Sequence, residues 1–252
     1  MAHEETVRLI PNAKTAVLFM HGIVGTPEHF RKLLPLEDLV PEEWSVYNVL
    51  LPGHGSSVRD FGRSSMKQWK QYAWSIFRKL ADTHEQVMLV GHSMGTLFSI
   101  QMALECPEKV CGLYLIAVPF RVGLKLFGMI NLMRLTFGKL DSHDPLQAAT
   151  RTVCGTEPTW MLWKYIPWLP RMCELIGQMH GTAKLVGNLS VPCVAYQSQR
   201  DELVSNRSGK ILEKCGRVEV HNLFGSTHFY YSPEDIDTVQ RRLAEFIKTA
   251  GS

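Results

Sequence analysis

The sequence predicts an α/β protein: a mostly parallel, twisted sheet of about six or seven strands, flanked by helices and carrying a helical insertion. Three observations lead there. Short apolar runs rich in Val, Ile, Leu and Tyr alternate with longer stretches of helical spacing, as in βαβ units. The chain has 252 residues, enough for one large domain or one domain with an insertion. From Phe120 to Asn188 the alternation stops and no convincing strand occurs.

The strands are read in order as 15–20 (TAVLFM), 44–50 (WSVYNVL), 86–90 (QVMLV), 110–118 (VCGLYLIAV), 192–197 (PCVAYQ) and 217–223 (RVEVHNL), with 6–10 as an added edge. Residues 66–83 space Trp69, Ala73, Ile76, Phe77 and Leu80 three and four apart, the stripe of a helix packed on a sheet. A helix over 94–105 follows directly after a serine. Another over 233–248 has Ser232 as its cap, Pro233 in its first turn and acids beside it. Residues 1–119 and 189–252 thus form the core, and 120–188 a mainly helical cap. That cap carries Trp160, Trp163 and Trp168, three of the six tryptophans, broken by Pro167 and Pro170.

Composition removes several function classes. The net charge is +3 with scattered Lys and Arg, which gives no footing for nucleic acid. No run of about 18 apolar residues occurs, so no membrane span is expected. The first residues lack the apolar stretch of a signal peptide, which points to the cytoplasm. None of the six cysteines forms C-x-x-C, and no Cys/His group has zinc spacing. Reduced, mostly buried thiols are expected, with no metal and no organic cofactor.

Chemistry enters at LVGHSMGTLF. G-x-S-x-G arises by chance in roughly one in ten chains of this length, given ordinary Gly and Ser frequencies. Here it lies between an expected strand and an expected helix, so Ser93 falls on a tight turn where Gly91 and Gly95 leave room for neighbouring chain. Serine needs a base. Only His221 and His228 follow Cys193. His221 sits inside a strand pattern, whereas His228 lies in the loop FGSTHFYY beyond it. The base needs an orienting carboxylate. Asp201 stands past the strand 192–197, where sites gather in open α/β sheets, with Glu202 as its competitor. Asp141 and Asp144 read as solvated cap residues. The oxyanion of acyl transfer requires N–H donors. Met94, next to the nucleophile, supplies one; Ile23, in the loop HGIVG after the strand 15–20, is the candidate for the second. His21 and His92 read as structural.

The segments HGIVGT, LPGHGSS, GHSMG, RDELV and STHF, in that order, resemble the α/β-hydrolase fold, most closely bacterial carboxylesterases and monoacylglycerol lipases. The resemblance runs from about Thr15 to Ile247 apart from the cap. It implies a triad of Ser93, Asp201 and His228, an oxyanion hole at Ile23 and Met94, and a mainly structural part for His54 and Gly55. The expected activity is hydrolysis of a small apolar carboxylic ester through an acyl-enzyme, with transient contact to a lipid surface. Aryl esters, thioesters and amides on the same triad are alternatives, and a non-catalytic ligand-binding protein on this fold is a remote one.

Overall fold

A computed structural model describes residues 3–126, 128, 130, 133, 134, 137, 139 and 141–250. Its main sheet has seven strands: β1 Thr6–Arg8, β2 Thr15–Met20, β3 Ser45–Asn48, β5 Gln86–His92, β6 Val110–Ile116, β8 Cys193–Ser198 and β9 Val218–Leu223. Their spatial order is β1-β3-β2-β5-β6-β8-β9. β1 runs antiparallel to β3 at the edge, and every other pairing is parallel. This is the expected α/β architecture.

All six residues of β2 are buried, because helices cover both faces of the sheet. Alternate side chains divide between two cores. Ala16, Leu18, Met20, Leu89 and Leu115 join the one under α2 (Met66–Thr83) and α3 (Met94–Glu105). Val17, Phe19, Val90, Tyr114 and Ile116 join the other, under α7 (Pro233–Ala250). The period of two along each strand therefore builds both layers.

Helix ends follow their sequence signals. The Ser65 hydroxyl accepts the Gln68 N–H at the start of α2. Ser232 accepts the Asp235 N–H at 3.3 Å, with Pro233 opening α7. α3 is buried on nearly every side, wedged between the sheet and its neighbours.

Several strands end elsewhere than expected: β1 and β3 each stop two residues early, at Arg8 and Asn48, and β8 runs one further, to Ser198. β5 continues through Gly91 and His92, which pair with Leu115 and Ile116. β6 stops at Ile116 because Ala117 turns to φ 56°, out of the extended region.

Within 120–188 lie α4 (Pro145–Val153), capped by Asp144, and α5 (Trp168–Leu185). Part of the expected cap, namely 127, 129, 131, 132, 135, 136, 138 and 140, lies outside the described residues. The C-terminal part of α5 docks on α3: Gln101 donates to Gln178 at 3.0 Å and to Thr182 at 2.7 Å, and Met179 joins the core.

Strand pairing does occur in this segment, in two places the sequence did not suggest. β7 (Thr156–Glu157) lies parallel to β4 (Ser56–Ser57), and Val122 bridges Val204. Both are too short to leave a periodic signal. No described helix is long and apolar enough to cross a membrane. All six cysteines are free thiols, and only Cys193 is fully buried, so the thiols are more accessible than expected.

Candidate active site

The sheet order reverses direction at β2. From there the chain passes outward to β3 on one side and to β5 on the other. Met20 at the end of β2 pairs with Gly91 near the end of β5. The loop after β2 and the turn after β5 therefore meet at a topological switch point, the usual place for ligands in open α/β sheets.

Ser93 occupies that turn at φ 50°, ψ −121°, outside the helical and extended regions. A conformation of this kind costs about 1–3 kcal/mol and must be held by its surroundings. Its restraints are visible. The Ser93 N–H donates to the Ile116 carbonyl at 2.9 Å, while the Ser93 carbonyl accepts from the Thr96 N–H at 3.0 Å and hydroxyl at 2.6 Å. A Cβ on Gly95 would stand 2.0 Å from the Met20 carbonyl oxygen, and one on Gly91 2.8 Å from the Thr96 backbone. Both positions exclude any side chain.

The loop after β2 closes over the same turn. A Cβ on Gly22 would come within 2.9 Å of the Ser93 Cβ. Val24, next to Ile23, holds φ 58°, an uncommon conformation for a β-branched residue. Among the described residues neither the Ile23 nor the Met94 N–H donates to a protein acceptor. Met94 opens α3, where free N–H groups favour negative charge.

Asp201 and His228 follow the adjacent strands β8 and β9. His228 Nδ1 lies 2.8 Å from Asp201 Oδ2, and both residues are almost fully buried. Asp201 Oδ1 accepts the N–H groups of Leu203 and Val204 at 2.8 and 2.7 Å, which fixes the carboxylate plane. With Nδ1 engaged, Nε2 is the nitrogen left for a substrate-side partner. Burial opposes a proton on His228, yet the Asp201 carboxylate, helped by Glu202, outweighs it and raises the histidine pKa above its ordinary value.

The Ser93 turn and the His228 loop touch through His92. Its Nε2 lies 3.2 Å from the His228 carbonyl oxygen, and the two rings are 4.8 Å apart. His29 stacks on His92 at 3.7 Å and contacts the Tyr231 hydroxyl at 3.1 Å. No Ser93–His228 hydrogen bond within 3.5 Å occurs among the described residues. Such contacts often tighten only with substrate present.

His21, His54 and His221 fall where the sequence placed them. His21 Nδ1–H donates to the Gly22 carbonyl at 2.8 Å, and its Nε2 accepts the Leu51 N–H at 3.1 Å. It is thus locked neutral inside the loop. His54 packs against His21 at 4.9 Å. His221 lies in β9 and pairs with Glu219.

A match to the model of the Alpha/beta hydrolase family spans residues 17–240. The chain belongs to that family. This alpha/beta hydrolase is 29% identical over 105 residues to a thermostable monoacylglycerol lipase of Bacillus sp. (strain H-257), a stretch covering 40% of each chain. Among solved structures it resembles a metagenome-derived lipolytic enzyme, with a TM-score of 0.71, 20% identity and 98% of both chains covered. A monoacylglycerol lipase of Paleococcus ferrophilus gives 0.69 at 17% identity, over 99% of this chain and 100% of that one. Likeness at that identity establishes the fold.

Three participants escaped the sequence reading. His29 stacks on His92 and is itself held by Tyr231, and Gly155, between α4 and β7, touches the loop after β2. Its N–H donates to the Val24 carbonyl at 2.7 Å, and its carbonyl accepts the Ser56 N–H at 3.1 Å. All three act through partners far away in the chain, so no local pattern marks them.

Proposed function

We propose that this alpha/beta hydrolase cleaves carboxylic esters with apolar acyl or alkyl groups, monoacylglycerol-type esters among them, through a serine acyl-enzyme. The observation that carries this reading is the Asp201–His228 hydrogen bond, formed beside a strained serine turn at the switch point of the sheet. The lipolytic activity of the proteins it resembles supports an ester over other acyl substrates.

In this mechanism Ser93 Oγ attacks the ester carbonyl while His228 Nε2 takes its proton. The N–H groups of Ile23 and Met94 hold the oxyanion. His228 then protonates the leaving alcohol, and a water activated by the same nitrogen releases the acid. Asp201 fixes the tautomer and stabilises the imidazolium. No step calls for a metal or an organic cofactor.

Residues 120–188 serve as the cap. Trp160, Trp163, Ile166 and Leu169 are exposed there with Lys164 among them, an apolar face suited to the substrate or to transient contact with a lipid surface.

Labelling by a fluorophosphonate, mapped to Ser93 by mass spectrometry, tests the nucleophile. Ser93→Ala is expected to abolish labelling and to lower kcat on the order of a millionfold. Asp201→Asn should cost on the order of ten-thousandfold. Turnover of p-nitrophenyl acyl esters that falls below that of acyl-CoA or amide substrates would reject the ester assignment.

A further inference from the structure

Asp201 is not the only carboxylate gripping His228. Glu202, 5% exposed, accepts the His228 main-chain N–H through Oε2 at 3.0 Å. Consecutive residues of one loop therefore hold the same histidine, Asp201 by its ring and Glu202 by its backbone. Among the described residues neither carboxylate forms an ion pair with Lys or Arg. Two buried carboxylates thus share one titratable partner.

Glu202 is itself tightly placed. Its carbonyl accepts the Lys125 N–H at 2.9 Å, and a Cβ on Gly128 would stand 2.9 Å from its Cβ and Cγ. Flanking bonds run from the Gly123 N–H to the Leu203 carbonyl and from the Ser205 N–H to the Arg121 carbonyl, each 2.9 Å. The beginning of the cap therefore clamps the loop that carries both carboxylates.

Taking Ser93, Asp201 and His228 as the triad, we propose that Glu202 is a positioning residue. It fixes the His228 main chain so that the ring meets Asp201, and its charge makes His228 a stronger base. It does not touch the substrate. The titratable groups around His228 are Asp201 and Glu202 from the loop after β8, His92 from the end of β5 and His29 from the connection after β2, with Tyr231 of its own loop against His29 and near the two carboxylates. Burial keeps His92 and His29 neutral and Tyr231 protonated, so the two carboxylates are the charges acting on His228 near neutral pH.

The consequence has a definite sign. His228 must be neutral to accept the serine proton, so a raised pKa moves the acid limb of kcat/KM to higher pH. Removing the Glu202 charge moves that limb down. Glu202→Gln retains an oxygen acceptor and loses the charge. It is expected to shift the acid limb down by about half to one pH unit, with a plateau kcat lowered less than about tenfold. Glu202→Leu also leaves the buried His228 N–H unpaired, and is expected to lower kcat by about ten- to a hundredfold at nearly constant KM.

The measurements are pH profiles of p-nitrophenyl ester hydrolysis and of fluorophosphonate labelling for both variants. An acid limb unmoved in Glu202→Gln overturns the proposal, even if Glu202→Leu fails to fold. Should Glu202→Gln prove more damaging than Asp201→Asn while Ser93→Ala remains inert, the acid is Glu202, and the triad reading fails rather than the positioning role alone.

Discussion

Gly95 shows how little freedom the Ser93 turn allows. The position of a Cβ there is set against the main chain of β2, not against a flexible side chain, so no rotamer change relieves the contact. Gly95→Ala must push α3 away from β2. It is expected to destabilise the fold by about 3 kcal/mol. Urea unfolding at constant m-value measures this, and a loss under 1 kcal/mol would mean that the turn tolerates displacement. Both glycines of the motif were legible in the sequence, since a strand-to-helix turn demands small residues at those offsets. Glu202 was legible only as a rival acid. Its bond reaches across 26 residues to a main-chain N–H, which no spacing along the chain encodes.

At the scale of elements, the proposed machinery sits on three loops, after β2, β5 and β8, with the proposed base after β9. Each loop is held from outside by chain to which the proposal gives no catalytic group. Gly155 exemplifies this. A Cβ there would fall 2.6 Å from Thr26 Cγ2 and 2.8 Å from the Gly25 carbonyl oxygen. Gly155→Ala should displace the Ile23 N–H while leaving Ser93 and His228 in place. The expected result is a kcat reduced about tenfold to a hundredfold, with slower acylation and a nearly unchanged thermal midpoint. An equal fall in stability and activity would instead mark Gly155 as a folding residue.

The helices 66–83 and 94–105 could be read to the residue because Ser65 and Ser93 precede them, and His84 and the Cys106–Pro107 pair follow them. The ends of β5 and β6 could not, since pairing with a neighbour decides how far a strand continues.

Across the whole molecule, buried histidines set the response to acid. His21, His29, His54 and His92 are 0–4% exposed. Burial drives His21 down to a pKa of about 4 and the other three well below 6.5. An unfolded chain binds these protons near pH 6.5, whereas the folded one refuses them. Each group therefore adds stability that is complete above pH 6.5. That stability is lost as the pH falls toward the folded pKa, by about 1.4 kcal/mol per pH unit and per group. His228 has the opposite sign: its raised pKa favours the fold below pH 6.5, and this contribution fades as the pH climbs through the folded value. Thermal midpoints should therefore drop steeply between pH 6.5 and pH 5. A midpoint constant over that interval would contradict neutral burial of these rings.

The attachments of the proposed cap bear on redesign. Its residues 121–125 are laced to 202–205, and Gly155 ties the loop of Ile23 to that of Ser56. A graft of a foreign cap, meant only to exchange substrate preference, would cut both seams and reset the chemical rate as well. Chimeras that retain 121–125 and 154–157 from this chain, and replace the stretch between and beyond, are the ones in which selectivity can change by itself.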